Sequence, residues 1–317
     1  MTTKLESALV LTAGLGTRLR PLSDVRAKPA MPVAGQPLIR RIVRWLVSQG
    51  VTDLVLNLHH RPETLTAVAG DGSDLGARIR YSWEQPRVLG SAGGPKLALP
   101  LVGRDPFLIV NGDTLTDVDI PALAADHESS GALVTLALVP NREHDRYGGV
   151  LLDDEGTVTG WVRRGPRAAG SWHFIGVQVA RAAALRGVEA GAVASSIGGA
   201  YDELMRSSPG SVHGFRCGAE FWDIGTAADY WRTAQAFMRR EGQGDVDAGR
   251  RVHIEASARV RRSVLWDDVD VGADATIEDS IVTDGVRVPA GATYRQAIVM
   301  SGDEGSEPTA CPLEINT

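Results

Sequence analysis

The sequence predicts an α/β chain, a doubly wound mixed sheet followed by a short parallel β-helix, and three observations predict it. Apolar strands alternate with helical patterns from the start of the chain to about residue 240. Several of those strands run directly into loops rich in glycine or charge, at the carboxyl ends where open α/β sheets bind ligands. After the polar stretch REGQGDVDAGRR the alternation stops and a 17-residue repeat takes over.

The elements follow in order. LVLTA is the first strand, and a helix from about Leu38 to Val47 carries apolar residues at 38, 42, 45 and 46. Next come the strand DLVLNL, a helix near Thr64 to Ala69, the strand RIRYSW and a short helix around Lys96. The strand FLIVNGD, a helix from Ile120 to Ser130 and the strand ALVTLALV complete the alternation, which is the pattern of a doubly wound sheet. GLGTRLRP, LHHR and NGDT then share one rim, with YGGVLLDDEGTVTGWV as a hairpin beside it. A helix from about Ala227 to Arg240 closes this first domain, residues 1–243, with Tyr230, Trp231, Ala234 and Phe237 as its core stripe.

Residues 252–300 read as about three coils, whose lines begin at Ile254, Val271 and Val288. Ala256, Ala273 and Ala290 fall in register, as do Ala258, Ala275 and Ala292, and Val264, Ile281 and Ile298. Small residues at matched corners and β-branched residues on matched flats suit a β-helix, in which each coil buries its apolar row against the next. The polar tail, residues 301–317, is expected to lack regular structure.

Composition excludes several classes. The 317 residues are 43% hydrophobic and 23% charged, ordinary for a globular chain, and the longest apolar runs are far too short to span a membrane. A net charge of −6 argues against nucleic acid as a partner. Two cysteines, Cys217 and Cys311, form neither a disulfide framework nor a metal-ligand spacing, and the start MTTKLESALVLTAG reads as a strand rather than a leader, so a cytoplasmic location is expected. Oligomeric state stays open, since an exposed β-helix edge can pair with a second copy or be capped by the tail.

The chemistry is concentrated in ALVLTAGLGTRLRPLSDVRAKPAMPVAGQPLI. It lacks the lysine placement of a phosphate-binding Walker loop, and Leu19 occupies the third glycine position of GxGxxG. A glycine-rich turn after a strand nevertheless presents N–H groups to an anion, and Arg18 and Lys28 add charge.

Those residues resemble the signature of the sugar-1-phosphate nucleotidyltransferases, or nucleotide-sugar pyrophosphorylases. LNLHHRPETL, LGSAGGPKLAL, NGDTLTDVD, RYGGV, FIGVQV and FWDIGTAADYW continue the resemblance in order to about residue 240. It implies a Rossmann-like nucleotidyltransferase domain and, for the C-terminal repeat, a left-handed β-helix. It further implies transfer of a nucleotidyl group from an NTP to a sugar 1-phosphate, with Mg²⁺ as cofactor and pyrophosphate as the second product. The branch it is most similar to is mannose-1-phosphate guanylyltransferase, with uridylyl and thymidylyl transferases as alternatives and a binding-only regulatory subunit as the reading from another class.

By that resemblance Arg18 and Lys28 are catalytic, and Ala13, Gly14, Gly16, Thr17, Gly90 and Gly93 bind the nucleotide. Gly148, after Tyr147, and Arg164 take the sugar phosphate, and Asp113 and Asp223 hold the metal. Read structurally instead, Asp113 caps a turn, Asp223 caps the helix beginning near Thr226, and the Gly90 turn opens a helix at Pro95. His59 and His60 are assigned a supporting role, because a phosphate oxygen attacks without a general base. Arg163 and Arg164 stand where the family carries Glu-Lys, a departure that removes an acid from the sugar side. Three coils are too few for a β-helix acyltransferase.

Overall fold

The computed structural model describes residues 4–302 and 306–315. By contact the chain forms two compact units that cut across the linear order. Residues through Gly14, Ile42–Pro62 and Ala69–Trp222 form one, and Leu15–Arg41, Glu63–Val68 and the described residues from Asp223 onward form the other.

The first unit is built on a nine-stranded mixed sheet. Its parallel centre sets Ser7–Leu11 between Asp53–Leu58 and Phe107–Asn111, with Arg78–Trp83 outside Asp53–Leu58. Central strands covered on both faces read as continuous apolar runs, and Leu9, Val55 and Ile109 are almost fully buried. Trp172–Ala180 then runs antiparallel to both Phe107–Asn111 and Val134–Pro140, and its register shifts between Phe174 and Gln178. Gly176 lies in that irregular stretch with φ +79°, where a Cβ would meet the Asn111 side chain at 2.7 Å. The expected hairpin is present as Gly149–Leu152 paired with Val158–Val162.

The helix expected around Lys96 is longer than the sequence reading allowed, running Gly90–Val102 with Pro95 and Pro100 inside it. Its glycines and prolines read as breakers, but Ala92, Ala98 and Val102 are buried in the core of this unit, and that packing outweighs the weak propensity. The helix therefore begins at Gly90 rather than at Pro95.

In the second unit the 17-residue register is met residue for residue. Ile254 pairs with Val271 and Val271 with Val288, and Val264 pairs with Ile281 and Ile281 with Ile298, all in parallel. Val246–Ala248, ahead of the expected start at 252, already pairs with Ser263–Leu265 as a partial coil. The expectation of an unstructured tail is corrected: Thr309–Pro312 pairs antiparallel with Ala297–Met300 and covers the edge strand of the last coil. The helix Ala227–Arg240 links coils and signature segment, with Tyr230 and Ala234 fully buried and Trp231 Nε1 donating to Arg262 O at 2.8 Å. No helix among the described residues is long and apolar enough to cross a membrane.

Candidate active site

In the first unit the chain leaves the first strand at Thr12, Ala13 and Gly14, and a buried polar network fixes that exit. Thr12 N donates to Asn57 Oδ1 at 2.5 Å, Ala13 N does so at 3.3 Å, and Thr12 Oγ1 donates to Asn57 O. Asn57 Nδ2 in turn donates to Glu84 Oε1 at 2.6 Å, while Leu89 N donates to Glu84 Oε2 at 2.6 Å. Glu84 is fully buried, and His59 Nδ1 lies 2.7 Å from its backbone oxygen. One carboxyl group thus ties the turn after strand one to the turn entering the Gly90 helix. The sequence reading missed Asn57 and Glu84; the available signal was a polar residue inside DLVLNL and an acid directly ahead of a glycine-rich turn.

Gly90 and Gly93 have a reason beyond the expected approach of a nucleotide. Gly90 sits at φ +80°, where a Cβ would lie 2.7 Å from Ala194 O, and a Cβ on Gly93 would collide with Ala192 O. Ala92 N and Gly93 N donate to Ala194 O at 2.9 and 3.2 Å, so the helix entrance is stitched to the 192–194 loop.

Asp113 stands in the turn between Phe107–Asn111 and Thr114–Thr116, half-buried. Gly112 N donates to Leu11 O at 2.9 Å, which sets this turn beside the end of the first strand. Gly148 and Arg164 are also brought together, since a Cβ on Gly148 would lie 3.8 Å from Arg164 N. Asn141 Nδ2 holds the Tyr147–Gly148 turn through both carbonyls, at 3.2 and 3.4 Å, whereas the side chains of Arg163 and Arg164 are exposed. Beside them opens a cavity of about 390 Å³ lined by Asn141, Arg142, Tyr147, His173, Phe221 and Trp222 among others. His173 stacks 4.2 Å from Tyr147, and burial pushes its pKa down to about 4, against a hydrogen bond to the Gly148 backbone and with Arg146 adding to the shift. The imidazole facing this cavity is therefore neutral at pH 7.

In the second unit Gly16 is αL, φ +61°, and caps the 3₁₀ turn Thr17–Leu19. A Cβ there would press on Ser23 Cβ at 3.0 Å and reach Lys28 Cβ at 3.9 Å, so the glycine brings the turn onto the segment that carries Lys28. Arg18 and Asp223 meet over Gly225, where a Cβ would lie 3.5 Å from Arg18 Nη1 and 3.0 Å from Asp223 Oδ2. Asp223 is not the helix cap: Thr226 Oγ1 accepts from Asp229 N at 3.2 Å, and Asp229 Oδ2 accepts from Thr226 N at 3.0 Å, a complete capping box. Asp113 and Asp223 are hard oxygen donors of the kind Mg²⁺ takes, one or two carboxylates completed by phosphate oxygens. Among the described residues no group of three or more His, Cys, Asp or Glu side chains forms a metal cage.

The first unit thus carries an α/β sheet with a glycine turn after its first strand, and the second carries a cation and an acid over one loop together with a parallel β-helix. The chain belongs to the nucleotidyl transferase family, which it matches over residues 7–240, and residues 248–303 match the GlmU-like C-terminal hexapeptide family. It is 39% identical over 189 residues to the N-acetylmuramate alpha-1-phosphate uridylyltransferase of Neisseria meningitidis, covering 59% of this chain and 80% of that protein. It is 29% identical over 240 residues to the mannose-1-phosphate guanylyltransferase of Mycobacterium tuberculosis, covering 75% of this chain and 66% of that protein. The fold is shared with the crystal structure of HddC from Yersinia pseudotuberculosis, with TM-score 0.63 and 23% identity over 74% of this chain and all of that one.

Proposed function

We propose that the chain transfers a nucleoside monophosphate from an NTP to a sugar 1-phosphate. A sugar-phosphate oxygen attacks the α-phosphorus in line, a new P–O–P bond forms, and pyrophosphate leaves with the electron pair of the broken bond. The observation that carries this reading is the convergence of Arg18 and Asp223 over Gly225, on the turn and loop that bear the family's signature. Both reactants are polyanions, so the barrier is set by their mutual repulsion and by their alignment. Arg18 and Lys28 supply fixed positive charge, and N–H groups of the turn from Ala13 through Gly14 and Gly16 to Thr17 take phosphate oxygens. Gly90 belongs to the nucleotide side, and Gly148 and Arg164 to the sugar phosphate. Asp113 in the first unit and Asp223 in the second are each proposed as a carboxylate ligand for Mg²⁺, which when bound would supply further neutralisation of phosphate charge. Because the attacking oxygen is already ionised, neutral His173 serves as a wall of the sugar-side cavity rather than as a base.

For the substrates we favour GTP with mannose 1-phosphate or a related sugar. UTP with an N-acetylated sugar 1-phosphate is the second reading, and the 39% identity to a uridylyltransferase favours it. The test is a matrix of four NTPs against mannose, glucose, heptose, N-acetylglucosamine and N-acetylmuramate 1-phosphates, read as pyrophosphate release. A dominant GTP column supports the first reading and a dominant UTP column the second. Silence across the matrix, with nucleotide sugars still binding, would leave a regulatory subunit.

A further inference from the structure

We propose that the β-helix is part of the catalytic apparatus, because the ion pairs of Arg26 with Asp267 and Asp284 position Lys28. The proposal rests on the reading of Lys28 as a cation on the reacting phosphates, and it makes Arg26 a positioning residue that touches no substrate.

Arg26 lies two residues before Lys28, and its side chain is only 11% exposed. Nε donates to Asp284 Oδ2 at 2.7 Å and Nη2 to Asp284 Oδ1 at 2.5 Å, a fork-on-carboxylate pair, while Nη2 also lies 3.0 Å from Asp267 Oδ2. Asp267 and Asp284 are 17 residues apart and therefore occupy the same position on successive coils, and Asp267 N donates to Asp284 Oδ1 at 3.0 Å. Arg26 also stacks over Trp266, with its guanidinium carbon 5.2 Å from the ring centre. Burial raises the cost of the Asp267 charge, but hydrogen bonds from Arg250 and the charge of Arg26 more than offset it and hold the carboxyl below its usual range.

Little freedom separates this anchor from Lys28. Ala27 is buried and its N–H donates to Thr64 Oγ1 at 3.0 Å, and Lys28 opens the 3₁₀ turn Lys28–Ala30, in which Pro29 and Ala30 are buried. The far side of the segment is tied down as well. Pro32 O accepts from Tyr230 OH at 2.6 Å, Trp266 Nε1 donates to Tyr230 OH at 2.9 Å, and Gly35 N donates to Asp247 Oδ1 at 2.6 Å. Buried ion pairs contribute little net stability over apolar packing, and in this proposal the role of the forked Arg26–Asp284 pair is to fix the geometry of the segment rather than to stabilise it. That is the service a loop carrying a catalytic lysine needs, because misplacement by about 1 Å costs on the order of 100-fold in rate.

The experiment uses the full chain in steady-state assays with whichever NTP and sugar 1-phosphate the matrix identifies. Arg26→Gln is expected to lower kcat about 10- to 100-fold with each KM within about twofold of the parent, and Arg26→Lys, which keeps the charge but loses the fork, to recover part of the loss. Asp284→Asn keeps the side-chain shape and is expected to give a smaller loss of the same kind, so the idea remains testable if Arg26→Gln folds poorly. The deciding measurement is the cycle with Lys28→Ala: in that background Arg26→Gln should cost nothing further. An equal loss in both backgrounds, or a parental kcat in Arg26→Gln and Asp284→Asn alike, would overturn the proposal. A parental rate in Lys28→Ala alone would instead overturn the reading of Lys28 beneath it.

Discussion

Two rims of the first unit are built on opposite plans. The turn assigned to the nucleotide is held by Asn57 and Glu84, which are 3% and 0% exposed, and each link in the chain Thr12–Asn57–Glu84–Leu89 is a buried hydrogen bond. The sugar-side rim sets an equally well-held backbone turn, Tyr147–Gly148 on Asn141, beside exposed Arg163 and Arg164 and a roomy aromatic cavity. Buried polar networks tolerate no partial change, because each lost partner strands another group. Exposed side chains at a cavity mouth change at small cost. By the proposed assignments, the buried network belongs to the nucleotide side and the exposed Arg163 and Arg164, where the resemblance leads one to expect Glu-Lys, belong to the more variable rim.

The largest effects are expected where charge meets phosphate. Lys28→Ala and Asp113→Asn should each lower kcat about 100- to 1000-fold while the melting temperature stays nearly unchanged; a large fall in melting temperature with little change in kcat would make both residues architectural. Next comes the nucleotide-side network itself. Glu84→Ala strands the Asn57 amide and the Leu89 N–H, so denaturant unfolding should show a loss of about 2–4 kcal/mol, and an unchanged midpoint would erase the contrast between the rims. Arg164→Ala should raise the KM for the sugar phosphate about 10-fold and leave that for the nucleotide alone. Equal effects on both substrates would move Arg164 to the other rim.

The smallest effect concerns pH. His127 and His173 are both pushed down to about 4 from 6.5, chiefly by burial. For His127 the charge of Arg181 adds to the shift, while Glu128 and Asp105 oppose it. Between pH 6.5 and 4 the unfolded chain binds protons that the folded rings refuse, so the stability these neutral rings allow is whole above about pH 6.5 and declines as pH falls toward 4. Melting temperatures between pH 7.5 and 4.5 should fall, and His173→Asn should flatten part of that slope; a slope identical to the parent's would remove His173 from the account.

Much of this was legible from residues alone. Continuous apolar runs located the central strands, which are buried on both faces, and apolar residues at helical spacing located the helices Leu38–Ser48, Ile120–Ser130 and Ala227–Arg240, which bury one face. The 17-residue register could be read directly, since each coil contacts only its neighbours and its matched residues recur at a constant spacing. Gly148 and Arg164 could be named as a pair, and the structure does bring them together. Arg18 and Asp223 could be named too, but that they share the space over Gly225 is a fact of loop closure across 205 positions of sequence numbering, from 18 to 223.

What the sequence determined by itself is everything carried by short-range repetition or by a motif: the alternation of elements, the coil length, and the family signature. Tertiary structure alone decided where the buried polar groups go. Local sequence marks Glu84 only as an acid ahead of a glycine-rich turn, not as the tie between two turns, and nothing local marks Arg26 as an anchor on two coils or Thr309–Pro312 as the segment that covers an edge strand. The reason is physical: a hydrogen bond or ion pair is satisfied by whatever the completed fold brings within about 3 Å, and that partner leaves no periodic trace in the chain.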